Sequence, residues 1–272
     1  MAMIVPIDGP SDERIHAYRN IRERDLVGRD GLFVAEGKVV LEKLLTSSAY
    51  RPCSLLIAAH RLAALADLID RVSDDVPVFV AAQGILNDTA GFALHRGILA
   101  IGQRIDPPTP EMLLAVQPER ATILLLSAIA NHDNIGGIFR NAAGFGANAI
   151  LLDSDCCDPL YRKSIRVSVG AALLVPFARL SRGEDAVALL ERHGFAPVAL
   201  SPAGTVDLID FVPQARTAAI FGAEGPGLAP DLIAASTSVR IPMAAGFDSL
   251  NVATTSGIVL HHLAAARRKG DG

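Results

Sequence analysis

The sequence predicts an α/β protein of two domains, the second built on a mostly parallel sheet with flanking helices. Short apolar runs alternate along the whole chain with amphipathic or small-residue stretches of helical length. A proline cluster (Pro107, Pro108, Pro110, Pro118) interrupts that alternation once, and each proline removes a backbone donor and restricts its predecessor. Several apolar runs in the second half end in loops of glycine and small polar residues, as strands do at the carboxyl edge of a parallel sheet. The expected layout is a domain over 1–103, a linker over 104–118 and a domain over 119–272.

Composition sets the outer limits. With 272 residues, half of them hydrophobic, there is enough apolar material for two modest cores. The 25 basic and 29 acidic side chains leave a formal charge of −4, which is not the usual footprint of a nucleic-acid binder. Any phosphate contact must come from local clusters. The start, MAMIVPIDGPSDER, has no basic segment ahead of its apolar run and does not resemble a signal peptide. No apolar run reaches the ~18 residues of a membrane span. Cys53, Cys156 and Cys157 have neither disulfide-framework nor zinc spacing, so reduced thiols in a cytoplasmic protein are expected.

In the first domain, Ile15, Tyr18, Ile21 and Leu26 fall at near-helical spacing. They predict an amphipathic helix over Asp12–Arg29 whose outer face carries Arg14, Arg19, Arg22, Arg24 and Arg29. Such a face meets phosphates, or is simply solvated and paired with its neighbouring acids. Beyond it, 32–37 reads as strand, Lys38–Leu45 as helix, 54–59 as strand, 61–72 as helix, and 76–81 and 95–103 as strands. Residues 112–116 form at most a helical turn.

The second domain opens with TILLLSAI (122–129), a buried strand. A polar loop over Asn131–Asn141 follows, with a helix pattern from Ile138 through Phe145, which brings polar side chains to the sheet edge. His132 and Asp133 lack a second ligand cluster, so no metal is expected. NAILLD (148–153) is the next strand. Residues 161–180 read as a helix ending near Gly170 and then a strand, with Arg162, Lys163 and Arg166 as a compact basic group. A helix from Arg182 to Phe195 and the strand PVALSP follow. TAAIFG ends at Gly222 and feeds the loop Gly222–Leu228, where Glu224 is the one ionisable side chain. A second strand ends at Ile241-Pro242-Met243, and the loop AAGFD leads through Ser249-Leu250-Asn251 into a closing helix. About six strands result, with a nucleotide pocket at two glycine-bearing strand ends. A Rossmann fingerprint is absent, since no G-x-G-x-x-G follows the first strand, and no Gly-Lys-Ser/Thr makes a P-loop.

FGAEGPGL, IPM and SLNVATTSGIVL resemble, in order and spacing, the second and third motifs of the SpoU (TrmH-type) RNA ribose methyltransferases of the SPOUT superfamily. Asn134, Arg140 and RNAAGFGANAILLD resemble the first. FVAEG and HRGILAIG resemble the smaller α/β substrate-binding domain that precedes the catalytic domain in many of these enzymes. The resemblance implies a trefoil knot, S-adenosylmethionine as methyl donor, no metal, an RNA ribose 2′-hydroxyl as acceptor and a homodimer. It places Gly222, Gly227, Ile241, Met243 and Leu250 at the cofactor and Asn134, Arg140, Glu224, Ser249 and Asn251 at the chemistry. It favours Arg14, Arg19, Arg22, Lys38, Arg162 and Lys163 as RNA contacts. A guanidinium, with a pKa above ~12, is a poor base, so Arg140 is expected to clamp phosphate and stabilise a developing alkoxide, with action as the general base the alternative. Ser249 either relays a proton or caps the closing helix. Ribosomal RNA is expected ahead of transfer RNA. An antibiotic-resistance methyltransferase, a catalytically silent RNA-binding relative and an unrelated nucleotide-dependent enzyme are the alternatives.

Overall fold

The computed structural model describes residues 2–21, 31–247 and 249–270, and the chain divides by packing into two units. Unit 1 comprises residues 1–107 together with Leu160–Leu174, and unit 2 the remainder. The expected contiguous domain over 119–272 would hold residues 160–174. Instead this stretch packs with the first.

In unit 1, β1 (Met3–Ile7), β2 (Leu32–Glu36), β3 (Tyr50–Ala58), β4 (Pro77–Ala81) and β5 (Ile98–Arg104) form a sheet in the order β1-β4-β3-β5-β2. The first three neighbours are parallel, and β5 runs antiparallel to β3 and β2. Ile15, Tyr18, Ile21, Val34, Leu56, Phe79 and Leu99 fill its core. Gly102 is required on β5, because a Cβ there would stand 2.4 Å from the Phe33 ring. Helix α1 (Lys38–Thr46) forms as expected, whereas the helix read over 61–72 shrinks to 3-10 turns and α2 (Ala66–Ile69). Leu65 breaks it with φ −115° and ψ 8°, and α2 has no side-chain cap. Strand β1 and helix α3 (Gln83–Ala90) had not been read. The latter stops at Gly91, which takes the left-handed φ of 81°.

The arginine-rich helix also differs. Glu13–Tyr18 is a 3-10 segment, with Ile15 at φ −107° and ψ 16°. Its apolar residues Ile15, Tyr18 and Ile21 are buried as their spacing required. Arg22, Arg24 and Arg29 lie outside the described residues.

Unit 2 begins with α4 (Pro110–Ala115). Its sheet has seven strands rather than about six, in the order β10-β12-β9-β11-β6-β7-β8, and every pairing is parallel. They are β6 (Ala121–Leu126), β7 (Ala149–Leu152), β8 (Phe177–Arg179), β9 (Ala196–Leu200), β10 (Val206–Asp207), β11 (Arg216–Phe221) and β12 (Thr237–Arg240). Strands buried on both faces read as continuous apolar runs, which is why β6 and β11 stood out in the sequence. Around them lie α5 (His132–Phe145), α7 (Ala186–Arg192), α8 (Pro230–Ala234) and α9 (Val252–Gly270); α6 (Arg162–Val167) belongs to unit 1. The strand expected directly after Gly170 starts only at Phe177. Ala171–Leu173 is a 3-10 turn, and Pro176 has no N–H for a ladder bond. Among the described residues no helix is long and apolar enough to cross a membrane.

Candidate functional site

Three loops at the carboxyl ends of the unit 2 strands build the site. The first leaves β6 and turns into α5. Asp153 holds it: one carboxylate oxygen accepts from Ser127 Oγ and Ala128 N, both at 2.8 Å, and the other from Asp155 N and Cys156 N at 3.0 Å. These bonds hold Ala128 at φ 55°, a conformation that alanine seldom adopts. Burial, with the Asp153 charge second, pushes the Cys156 thiol up to about 12, and its Sγ accepts from Ile129 N. Burial likewise pushes Cys157 up to about 11.

Asn131 caps α5 by accepting from Asp133 N at 2.8 Å. Six positions along a helix amount to about one and two-thirds turns, so Asn134 and Arg140 project from different faces. Asn134 is buried and Arg140 is exposed, with no hydrogen bond or ion pair to the described residues. Helix α5 lies tightly on α9: a Cβ on Gly137 would stand 2.7 Å from that of Ala253. Asn141 Nδ2 donates across the same contact to Ala253 O (2.7 Å) and Ser256 Oγ (3.0 Å).

The second loop follows β11. A Cβ on Gly222 would stand 2.5 Å from the Gly227 carbonyl carbon, so the loop folds back on its own backbone only because that position is glycine. Gly225 and Gly227, at φ 89° and 70°, complete the reversal. The third loop follows β12 and enters α9 at Asn251. Asn251 Oδ1 accepts from Ala253 N and Thr254 N, which makes Asn251, and not Ser249, the cap of α9. That orientation turns its Nδ2 towards the other loops, where it donates to Asn134 Oδ1 and Glu224 Oε1, each at 2.8 Å. One amide thus ties all three loops together.

Beside this node lies a cavity of about 520 Å³, within the usual ~300–1,000 Å³ of a small-molecule site. Gly222, Gly227, Ile241, Met243 and Leu250 line it, as do Glu224, Ser249 and Asn251. Asn134 reaches it through Asn251, and Arg140 is not in its wall. Sequence reasoning missed Leu200, Ser201 and Pro202 at the end of β9, and Ile233 and Thr255. PVALSP was legible as a strand, but only the strand order shows β9 lying between β12 and β11. Among the described residues no group of His, Cys, Asp or Glu has metal-site geometry.

The basic residues expected to meet RNA are mostly engaged within unit 1. Arg14 grips Asp12 at 2.6 Å, holding that carboxyl down at about 2, and Arg19 meets Glu13 at 3.2 Å. Lys38 faces Glu42 at 3.9 Å. Arg162 pairs with Glu36 at 2.9 Å, both largely buried, and lies over the Phe92 ring. Lys163 is exposed. Arg22 lies outside the described residues.

Residues 121–261 match the family described as the SpoU rRNA Methylase family. Over 261 residues the chain is 38% identical to an uncharacterised tRNA/rRNA methyltransferase of Mycobacterium bovis, covering 93% of this chain and 88% of that one. It is 31% identical over 185 residues to the 23S rRNA (guanosine-2′-O-)-methyltransferase RlmB of Vibrio parahaemolyticus, covering 64% of this chain and 72% of that one. The fold matches that of an AdoMet-bound rRNA methyltransferase from Sinorhizobium meliloti with a TM-score of 0.82 over 98% of each chain, at 23% identity.

Proposed function

The chain belongs to the SpoU rRNA methylase family, and from that premise we propose that it transfers a methyl group from S-adenosylmethionine to a ribose 2′-hydroxyl of RNA. The observation that carries this reading is the Asn251 node, which joins three loops beside a cavity of small-molecule size. The cavity fits such a cofactor: the backbone turn at Gly222 leaves a surface that any Cβ would fill, and Ile241, Met243 and Leu250 offer apolar contact. When bound, the cofactor supplies an electrophilic methyl group on a sulfonium.

The protein's own groups then bind, orient and exclude water. Glu224 and Asn134 are fixed by a shared donor, so the pocket edge is set before the acceptor arrives. Arg140, exposed and outside the cavity wall, is available to grip a backbone phosphate and to stabilise negative charge on the ribose oxygen. A guanidinium is a poor base, so Arg140 stabilises the oxyanion while the hydroxyl proton passes through Ser249 Oγ to solvent. Ser249 lines the cavity, and Asn251 rather than Ser249 caps α9; in this reading Ser249 orients the hydroxyl.

Ribosomal RNA is the proposed substrate, supported by the Vibrio relative that is named for 23S ribosomal RNA. Ribose methylation mapped across total RNA, from cells with and without this protein, tests it. Loss of one ribosomal site is expected; loss confined to transfer RNA would reverse the assignment. The protein is proposed to act in the cytoplasm as a homodimer. Ile209, Val212 and Ile258 are exposed on unit 2 at 78%, 80% and 40%, apolar surface that a second copy would cover. A monomeric mass in light scattering at micromolar concentration would overturn the dimer. A trefoil knot belongs to the same reading. Its support is that β11 lies between β6 and β9, and β12 between β9 and β10, so the last segment enters among earlier strands.

A further inference from the structure

Of ten phenylalanines and three tyrosines, only one has an exposed side chain. It is Phe247, at 75% exposure. The wall residues that precede and follow it in sequence are Met243 and Ser249, whereas Phe247 itself does not line the cavity. A tight turn puts the ring there: Phe247 N donates to Ala244 O at 3.1 Å, and Gly246 takes φ 88°. A large apolar ring left in water at the rim of a site is a cost that a covering ligand recovers.

The rest of the surface makes such a ring more valuable. The chain is net acidic, and Arg14, Arg19 and Arg162 are already paired with acids. Phosphate neutralisation therefore contributes less than in a basic RNA binder, and more of the affinity must come from contacts to bases. An aromatic face accepts any unpaired base, since every base has a π-face. Resting on the methyltransferase reading above, we propose that Phe247 is the stacking platform for an unpaired base of the RNA, at or next to the nucleotide that is methylated. Its place outside the cavity wall separates it from the cofactor, and its place between two wall residues keeps the stacked nucleotide beside the cofactor.

The chain contains no tryptophan, so Phe247→Trp reports on this one position. Its emission is read on adding a mixed-sequence single-stranded RNA 20-mer, and separately on adding S-adenosylhomocysteine. In parallel, Phe247→Ala is assayed for methyl transfer to total RNA from cells lacking the protein. The RNA should quench the tryptophan and the cofactor product alone should not. Phe247→Ala should raise the apparent KM for RNA about tenfold, with kcat and cofactor affinity little changed. Quenching by S-adenosylhomocysteine alone would make the ring a cofactor cover. A reduced mass of Phe247→Ala in light scattering would make it a contact with a second copy. Either result overturns the proposal, as does an unchanged KM. Absence of methyl transfer by the unaltered protein would instead overturn the methyltransferase reading on which the proposal rests.

Discussion

Asn251 Nδ2 donates to Asn134 Oδ1 at 2.8 Å across 117 residues of sequence, while the other end of the same amide caps α9. The two jobs can be separated. Aspartate caps a helix as well as asparagine does but brings no N–H. Asn251→Asp should therefore keep stability within about 1 kcal/mol by urea unfolding. Its new carboxylate would face Glu224, and like charges at that range repel. Methyl transfer should fall at least about tenfold, ~1.4 kcal/mol of lost transition-state stabilisation. Unchanged transfer would show that the node is only a cap.

Gly222 should not tolerate a side chain. The Cβ of Gly222→Ala would press on backbone and not on a movable side chain, so the loop must shift. Overpacking of this kind costs typically ~1–3 kcal/mol. Because the same loop lines the cavity, calorimetry should show cofactor affinity reduced about tenfold or more. Affinity equal to that of the unaltered protein would remove this loop from the cofactor site.

Arg140 should act on the acceptor. It is exposed and absent from the cavity wall, so Arg140→Ala should leave cofactor affinity within about threefold. Methyl transfer should drop about a hundredfold, ~2.7 kcal/mol. Arg140→Lys keeps the charge without the planar fork and should rescue little. Parallel losses in affinity and rate would place Arg140 on the cofactor.

The site is most legible in the sequence where chemistry restricts residue choice. Gly222, Glu224 and Asn251 were legible because a folded-back loop, a lone carboxylate and a helix-entry amide each need particular residues. Periodicity identifies which residues are apolar, not what covers them. Ile15, Tyr18 and Ile21 were correctly seen as inward-facing, yet the backbone is 3-10 over Glu13–Tyr18. For the same reason Ile165 and Leu173 did not reveal that Leu160–Leu174 packs with unit 1. Charge pattern is equally silent on partners. Arg162 reads in sequence as one of three clustered cations with Lys163 and Arg166, but it is held by Glu36, which lies far away in sequence.

The thiols give a pH signature. Burial raises Cys156 to about 12 and Cys157 to about 11, above the reference value of 9.0, so the folded chain holds these protons more tightly than the unfolded one. The stability they contribute is present below about pH 9 and is lost as the pH rises towards 11 and 12. Urea midpoints should fall between about pH 8 and pH 10.5, and fall less in Cys156→Ala/Cys157→Ala. An equal fall in that double variant would assign the alkaline loss to other groups.

Transfer of tritium from methyl-labelled S-adenosylmethionine to RNA tests the central claim most directly. A methyl group on a ribose 2′-oxygen blocks alkaline cleavage of the adjoining phosphodiester, whereas one on a base does not. After alkaline hydrolysis the label should therefore be found in dinucleotides, and Arg140→Ala should abolish most of it. Label recovered in mononucleotides, or no transfer to any RNA while the cofactor still binds, would contradict the account.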